Sequence, residues 1–345
     1  MSMNKKDLLD SSKIVENIDI AKVDTTDVIK AMQKMSFSAR DTGRAAEIYQ
    51  KMINDKDCSI ILSLAGSTSS AGCMKVYADM IRYNMVDAVV ATGAAIVDMD
   101  FFDALGFRHY QGNINADNAA LGDMNVDRIY DTYIDEDEVE ECTKTITEIA
   151  NSMKGGVYSS REFIREMGRF LKENPERNKR KGSLVELAYE YNVPIFCPAF
   201  SDSTAGYGLV KNQVDHKNHV SIDSVKDFRE LAMVKWNTKE TGVFIVGGGV
   251  PKNFVQDVVV CTELTGEAMP RHKYAIQLTI ADVRDGACSS STFQEARSWG
   301  KVELNNEQMV FGEATSLVPL IISYIYHEKS WEKRKRRELA NIFFK

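Results

Sequence analysis

The sequence predicts an α/β fold: a single large, doubly wound domain with a mainly parallel central sheet, preceded by a helical N-terminal extension. Three observations predict it. Short apolar runs recur at 58–66 (CSIILSLAG), 86–94 (VDAVVATGA), 193–200 (VPIFCPAF), 241–249 (TGVFIVGGG) and 273–281 (KYAIQLTIA), each of a length and character that suits a buried strand. Segments with helical spacing separate them, and strands alternating with helices build a parallel sheet covered on both faces. Every run also ends in a loop of small residues: STSSAG, ATGAAIVD, SDSTAG, GGGVPKN and ADVRDGACSSS. Core packing alone does not ask for Gly, Ser and Ala at five strand ends. A ligand lying outside the carboxyl ends of the strands does, which makes the predicted sheet Rossmann-like.

Taken in order, residues 1–25 are polar and mixed and read as a flexible arm with one short helix; residues 26–345 read as the domain. DTTDVIKAMQKM (24–35) opens with Asp and Thr cap candidates and continues with Val28, Ile29, Met32 and Met35 at helical spacing. A second helix follows at 42–55. Strand 58–66, the STSSAG loop, the helical CMKVYADMIRYN and strand 86–94 form a β-loop-α-β unit. A small-residue loop at a helix N-terminus lets backbone N–H groups approach a phosphate. The loop is not GxGxxG, and any parallel sheet needs tight turns, so the pattern alone is a weak signal.

Residues 108–135 read as an irregular excursion and 136–153 as a long helix. GGVYSSREFIREMGRFLKE is a helix capped by Ser159 or Ser160, and KENPERNKRKGS an external loop. GSLVELAYEYN and 223–237 are helical. In GGGVPKNFVQDVVVCTELTG the glycines 247–249 make a turn and Pro251 stands near a helix start. KVELNNEQMVFG (301–312) predicts a hairpin turning at Asn305-Asn306. The last helix starts at EATSLVPL and runs into the basic EKRKRRE, read as a solvated helix end or tail in preference to a contact patch.

Composition bounds the function. The chain has 345 residues, 44% hydrophobic and 27% charged, as in an ordinary globular protein. Its 43 Lys+Arg against 50 Asp+Glu give a net charge of −7, which argues against nucleic-acid affinity and suits cationic small molecules. The six cysteines lack CxxC pairs and metal spacing, so neither a disulfide framework nor a metal site is expected. No stretch reads as a signal peptide or a membrane span, which predicts a cytoplasmic protein with no membrane contact.

The chemistry concentrates in DGACSSSTFQEARSWGK (285–301). Glu295 can pair with an ammonium, the face of Trp299 can hold one by cation–π attraction, and Lys301 can attack a carbonyl or an imine. A lysine so used must be partly neutral, through desolvation or neighbouring cations. The plain alternative makes Trp299 an interior anchor and Lys301 a solvated strand-end charge.

EARSWGK resembles the active-site signature of the deoxyhypusine synthase family. The likeness continues, in the family's order, through SLAGSTSSAG, RYNMVDAVVATGA, VPIFCPAFSDS, GGGVPKN and GEATSLVPL. The resemblance implies an enzyme that uses NAD to oxidise a polyamine, takes the resulting imine onto a lysine, and passes the aminobutyl group to an acceptor amine. In hypusine synthesis that acceptor is a lysine of a translation factor; in related homospermidine synthases it is putrescine. By position, Lys301 matches the nucleophile, Glu295 and Trp299 match amine-holding residues, and Asp98 falls where hypusine-forming members carry a substrate-contacting glutamate. Cofactor positions fall on Ser67, Ser70, Thr92, Gly93, Ala94, Asp202, Gly248, Ala281 and Glu313, the last an aspartate in most members. Each has a plain reading too: caps for the hydroxyls, turns for the glycines, solvated or capping carboxylates for the acids. The resemblance also implies a homotetramer with active sites between subunits.

The amine site departs from the pattern. Cys288 and Tyr207 stand where hypusine-forming members have aspartates, and Asn253 where they have histidine. Each lost charge-assisted hydrogen bond to an ammonium is worth about 1.5–3 kcal/mol, so spermidine binding would weaken roughly a hundredfold or more. Either Asp98, Asp100, Asp282 or Asp285 compensates, or the natural amine differs. The second favours a homospermidine synthase-like transferase of small polyamines over a true deoxyhypusine synthase or an NAD-binding homologue without catalysis.

Overall fold

The structure, a computed structural model, describes residues 4–344. Its centre is a six-stranded sheet of β1 (Cys58–Leu64), β2 (Ala88–Ala91), β3 (Ile195–Phe196), β4 (Glu240–Val246), β5 (Tyr274–Thr279) and β6 (Glu307–Phe311). The order is β6-β5-β4-β1-β2-β3 and every pair is parallel. This is the doubly wound, Rossmann-type order, in which the winding reverses between β1 and β4. The expected α/β class and mainly parallel sheet are therefore present.

Strand alternation explains the two cores. Ile60, Leu62 and Leu64 of β1, with Phe244 and Val246 of β4, join one buried cluster; Ile61, Val243 and Ile245 join the other. Successive side chains of a strand point to opposite faces, so a strand buried on both sides must be apolar throughout. On the first face lie α1 (Met74–Arg82) and the helix Phe37–Asn54. On the second lie α3 (Ser224–Trp236), α4 (Gly249–Thr265) and α5 (Phe293–Ser298), while α2 (Thr204–Asp215) packs beyond β3 and α6 (Ala314–His327) returns to the first face.

Three expectations fail. The 301–312 segment is no hairpin: β6 runs parallel to β5, and Val302 makes a separate parallel bridge to His272. Both halves thus add to the same sheet edge. The excursion at 108–135 is ordered, as a three-stranded antiparallel sheet of His109–Gln111, Thr132–Asp135 and Val126–Ile129. Leu8, Leu121, Val126 and Tyr133 form its small core, so the N-terminal segment contributes to it. That segment lies along the domain, with Val15 N donating to His109 O (2.9 Å) and Ile18 N to Gly72 O (3.0 Å).

The third concerns the basic C-terminus, which is not a solvated helix end. Helix α6 stops at His327, and Lys329 turns left-handed at φ +56. The chain then crosses the amino-terminal edge of the sheet. Arg334 is buried and pairs with Asp87, itself almost wholly buried. Arg337 donates to Lys56 O (2.7 Å) and Cys58 O (2.9 Å), and Arg336 to Ile81 O and Arg82 O (both 2.9 Å). Guanidinium groups here satisfy carbonyls that the strand and helix ends leave free.

Candidate active site

The strand ends form the upper rim of the molecule. At the reversal point Ala65 N donates to Val246 O (3.1 Å), and a Cβ on Gly247 (φ +71) would lie 2.8 Å from Ala65 O. Only glycine permits that approach. Gly66 (φ +86) faces open space, and the hydroxyls of Thr68 and Ser70 are turned inward, to Tyr77 OH (2.7 Å) and Ser67 O (2.8 Å). Ser67, Thr68 and Ser70 line a cavity of about 730 Å³ with Glu313, Thr315 and the hairpin tip Tyr130–Asp131. Glu313 caps α6 through Thr315 N (3.0 Å), Ser316 N (3.1 Å) and the Thr315 hydroxyl, and these bonds hold its carboxyl below the usual range against the opposing effect of burial. Small side chains, hydroxyls, a turn of backbone open to the cavity and one fixed carboxylate fit the phosphate and ribose of a dinucleotide.

A second group of the expected residues meets where β2 and β3 end. A Cβ on Gly93 would lie 2.6 Å from Ser203 Oγ, so Thr92, Gly93 and Ala94 pass directly against Asp202–Ser203. Asp98 accepts from Thr204 N (2.7 Å) at the start of α2; burial, the largest influence, raises its carboxyl above the ordinary value. Tyr207, one turn further along α2, is exposed. Asp98 thus does the capping work of its plain reading. Asp100 is fully committed elsewhere, to Leu184 N (2.8 Å) and Val185 N (2.9 Å), and is no free carboxylate for an amine.

A third group forms past β4 and β5. A Cβ on Gly248 would come within 2.5 Å of Ser289 Cα, so the 285–291 loop folds over the start of α4. Buried Lys252 anchors that loop from below, donating to Ser291 O (2.5 Å) and Ser289 O (3.4 Å). Ala281, Asp282, Asp285 and Cys288 lie on this exposed stretch, where Arg284 occupies Asp282 (2.8 Å). Glu295 is turned away from Lys301: it closes a capping box with Thr292 (N···Oε2 2.5 Å), which lowers its carboxyl below the ordinary value.

Lys301 lies apart from the first two groups and borders the third, close enough to Lys252 for the two amines to act on each other. Helix α5 and Gly300 (φ +75) carry the chain down the outside of the sheet, where Lys301 N donates to Ala296 O (2.9 Å) and Lys301 O accepts from His272 N (3.0 Å). The His272 ring braces this corner. Its Nε2–H donates to Val255 O (2.9 Å), and its Nδ1 accepts from the Thr241 hydroxyl (2.8 Å), which in turn accepts from Lys235 Nζ (2.6 Å). Burial pushes that imidazole down to about 3, so it stays neutral.

From this corner the Lys301 side chain, 12% exposed, enters a surface groove of about 1200 Å³ between α3 and α4. Its Nζ stands 5.4 Å from the Trp299 ring centroid and 2.5 Å from Asp257 Oδ1. Asn253 Nδ2 donates to the other oxygen of Asp257 (2.9 Å). Val225, Phe228, Met233, Val260 and Leu264 supply apolar walls. Of the seven expected catalytic and substrate residues, the groove gathers Lys301, Trp299 and Asn253; Glu295, Cys288, Asp98 and Tyr207 do not line it. Asp257 was missed by the sequence reading. Its signal was present, since Asn253 and Asp257 are polar and four apart in a valine-rich helix and so share one face.

The chain is similar to known proteins over most of its length. The deoxyhypusine synthase family profile matches residues 27–325. A deoxyhypusine synthase-like protein of Coxiella burnetii is 58% identical over 330 residues, covering 95% of this chain and 93% of its own. One from Caulobacter vibrioides is 57% identical over 337 residues, covering 96% and 91%. "Probable deoxyhypusine synthase 2" of Methanosarcina acetivorans is 35% identical over 329 residues, covering 95% and 92%. A crystal structure from Entamoeba histolytica, provisionally assigned as a deoxyhypusine synthase, superposes with TM-score 0.59 at 20% identity, over 94% of this chain and 99% of that one, and so supports the fold. By full-length sequence likeness, with the doubly wound sheet beneath it, the chain belongs to the deoxyhypusine synthase family.

Proposed function

We propose that the protein is an NAD-dependent transferase that moves an alkylamine group, of the aminobutyl kind, between small polyamines through an imine on Lys301. One observation carries the reading: Lys301 Nζ sits between the Trp299 face and the Asp257 carboxylate at the polar end of an apolar groove. Methylene chains suit such walls, and ammonium groups suit the ring and the carboxylate.

NAD, when bound, would supply the hydride acceptor that turns a carbon–nitrogen single bond of the polyamine into C=N and, once reduced, would return that hydride to the C=N bond of the transferred product, so that no net oxidation results. Ser67, Ser70 and Glu313 would hold it at the β1 loop, with Thr92, Gly93, Ala94, Asp202, Gly248 and Ala281 along the rim. Lys301 then bonds through Nζ to the imine carbon; the bond from that carbon to the departing nitrogen breaks, and a diamine leaves with the proton. The acceptor amine displaces Lys301 by the same exchange. The low exposure of the Lys301 side chain, 12%, limits the access of water to the lysine-bound imine, whose hydrolysis would waste the group.

The cavity holding Ser67, Ser70 and Glu313 shares no lining residue with the Lys301 groove. The reading therefore includes assembly as a homotetramer with active sites between subunits. Borohydride added to protein, NAD and a panel of polyamines is expected to leave a mass adduct on Lys301 that Lys301→Arg lacks. Absence of an adduct with every amine would sink the reading. Hypusine formation is a second reading, favoured by the groove being open, with Trp299 70% exposed, so that a protein lysine can reach it. Spermidine, NAD and the translation factor, assayed for a modified factor lysine, separate the two.

A further inference from the structure

The amine site lacks the carboxylates expected at the positions of Cys288 and Tyr207, yet a carboxylate stands against the nucleophile itself. Asp257 Oδ1 is 2.5 Å from Lys301 Nζ, and Asn253 fixes the other oxygen at 2.9 Å. Lys301 is nearly enclosed while Asp257 is one-third exposed at the groove, so a second cation arriving by the groove meets Asp257 first. An ammonium paired in this way has no lone pair to offer. The resting arrangement holds Lys301 in the one form that cannot attack an imine.

We propose that Asp257 is an exchangeable counterion: it pairs with Lys301 in the empty protein and with a substrate ammonium in the loaded one, and the exchange frees the Lys301 lone pair. This rests on the reading that Lys301 is the nucleophile. The charges balance. Before entry the groove holds the Lys301 cation and the Asp257 anion; after entry it holds the substrate cation and the same anion, and Lys301 has released its proton to water. Keeping that proton would leave two cations beside one carboxylate between apolar walls, which Coulomb repulsion and desolvation both oppose. The other charged groups near Lys301 act in the same sense. Lys252 lies behind it on α4 and Arg229 of α3 lines the groove, while Glu295, the other carboxylate near Lys252, is held by Thr292 in its capping box and does not line the groove. Asp257 thereby returns one negative charge to an amine site that has lost two, and couples it to the reacting nitrogen.

The test needs neither cofactor nor turnover, so its failure is separable from failure of the transferase reading. Propionaldehyde with cyanoborohydride at neutral pH alkylates free amines, and peptide mapping gives the rate at Lys301 relative to exposed Lys239. In the unaltered protein Lys301 is expected to react slowly, and N,N,N′,N′-tetramethyl-1,4-butanediamine, a dication that cannot form imines, should speed it roughly tenfold, the scale of one charge-assisted hydrogen bond. Asp257→Asn should make Lys301 fast without the diamine and indifferent to it, and Asp257→Glu should restore the response. The proposal is overturned if the diamine only slows Lys301, if Lys301 already reacts like Lys239, or if folded Asp257→Asn stays slow. The diamine arm uses the unaltered protein, so a variant that fails to fold leaves the test standing.

Discussion

Lys252 shows how one residue can be costly and still necessary. Its side chain is 1% exposed, and burial pushes its amine down to about 8. Its hydrogen bonds to Ser289 O and Ser291 O hold the Ser-rich loop over the start of α4. The folded value lies below the 10.5 of the unfolded chain, so between pH 8 and 10.5 the unfolded state binds the extra proton and stability rises with pH. Lys252→Met removes that rise together with a pH-independent anchoring contribution. In urea unfolding at pH 8 and pH 10, the unaltered protein should gain roughly 2–3 kcal/mol relative to the variant. A difference that stays constant with pH would show that Lys252 titrates as an ordinary surface amine. The site was only partly legible at this scale. Lys301 and Trp299, carried by EARSWGK, and Asn253, carried by GGGVPKN, were singled out as candidates, and the groove brings these three together. Asp257 was not, because its meeting with Lys301 depends on α4 and α5 packing side by side on one sheet face.

At the scale of elements, sequence served well wherever burial was uniform. β1, β4 and β5 are buried on both faces, so their apolar runs marked them within a few residues. β6 was misread because an edge strand's partner is a non-local fact; Asn305-Asn306 looks like a turn whichever way the next strand runs. The C-terminal strap was misread because a run of basic residues is ordinarily solvated, and nothing local reveals that Asp87 and the carbonyls of Lys56 and Cys58 wait across the sheet edge. Removing one partner of a buried ion pair strands the other. Arg334→Ala is therefore expected to cost roughly 3–5 kcal/mol in denaturant unfolding. Because the strap crosses the edge opposite the strand-end rim, the borohydride adduct on Lys301 per folded molecule should be unchanged. A marginal loss of stability would show that the strap merely rests on the surface.

For the whole molecule the decisive fact is a separation. Within one chain the Lys301 groove opens between α3 and α4 on one sheet face, while the Ser67–Glu313 cavity opens at the β1 loop beside α6, on the other side. A transfer that needs both must join them across a boundary between copies, and the groove's apolar walls, with Leu264 79% and Val225 76% exposed, are of the kind that a second copy covers. In a twofold pair each site would then take Lys301 from one subunit and the cavity from the other. Co-expressing Lys301→Arg subunits with subunits whose cavity is blocked by Ser67→Trp tests this without any assumption about the natural amine. Each variant alone should give no adduct in the borohydride assay. Equal mixing makes half the pairs hybrid, each with one intact site of two, so about a quarter of the unaltered adduct should return. If each chain instead builds its own complete site, the hybrid contains no intact one and nothing returns. That result would leave the groove and the cavity as unrelated features and remove the reason for assembly.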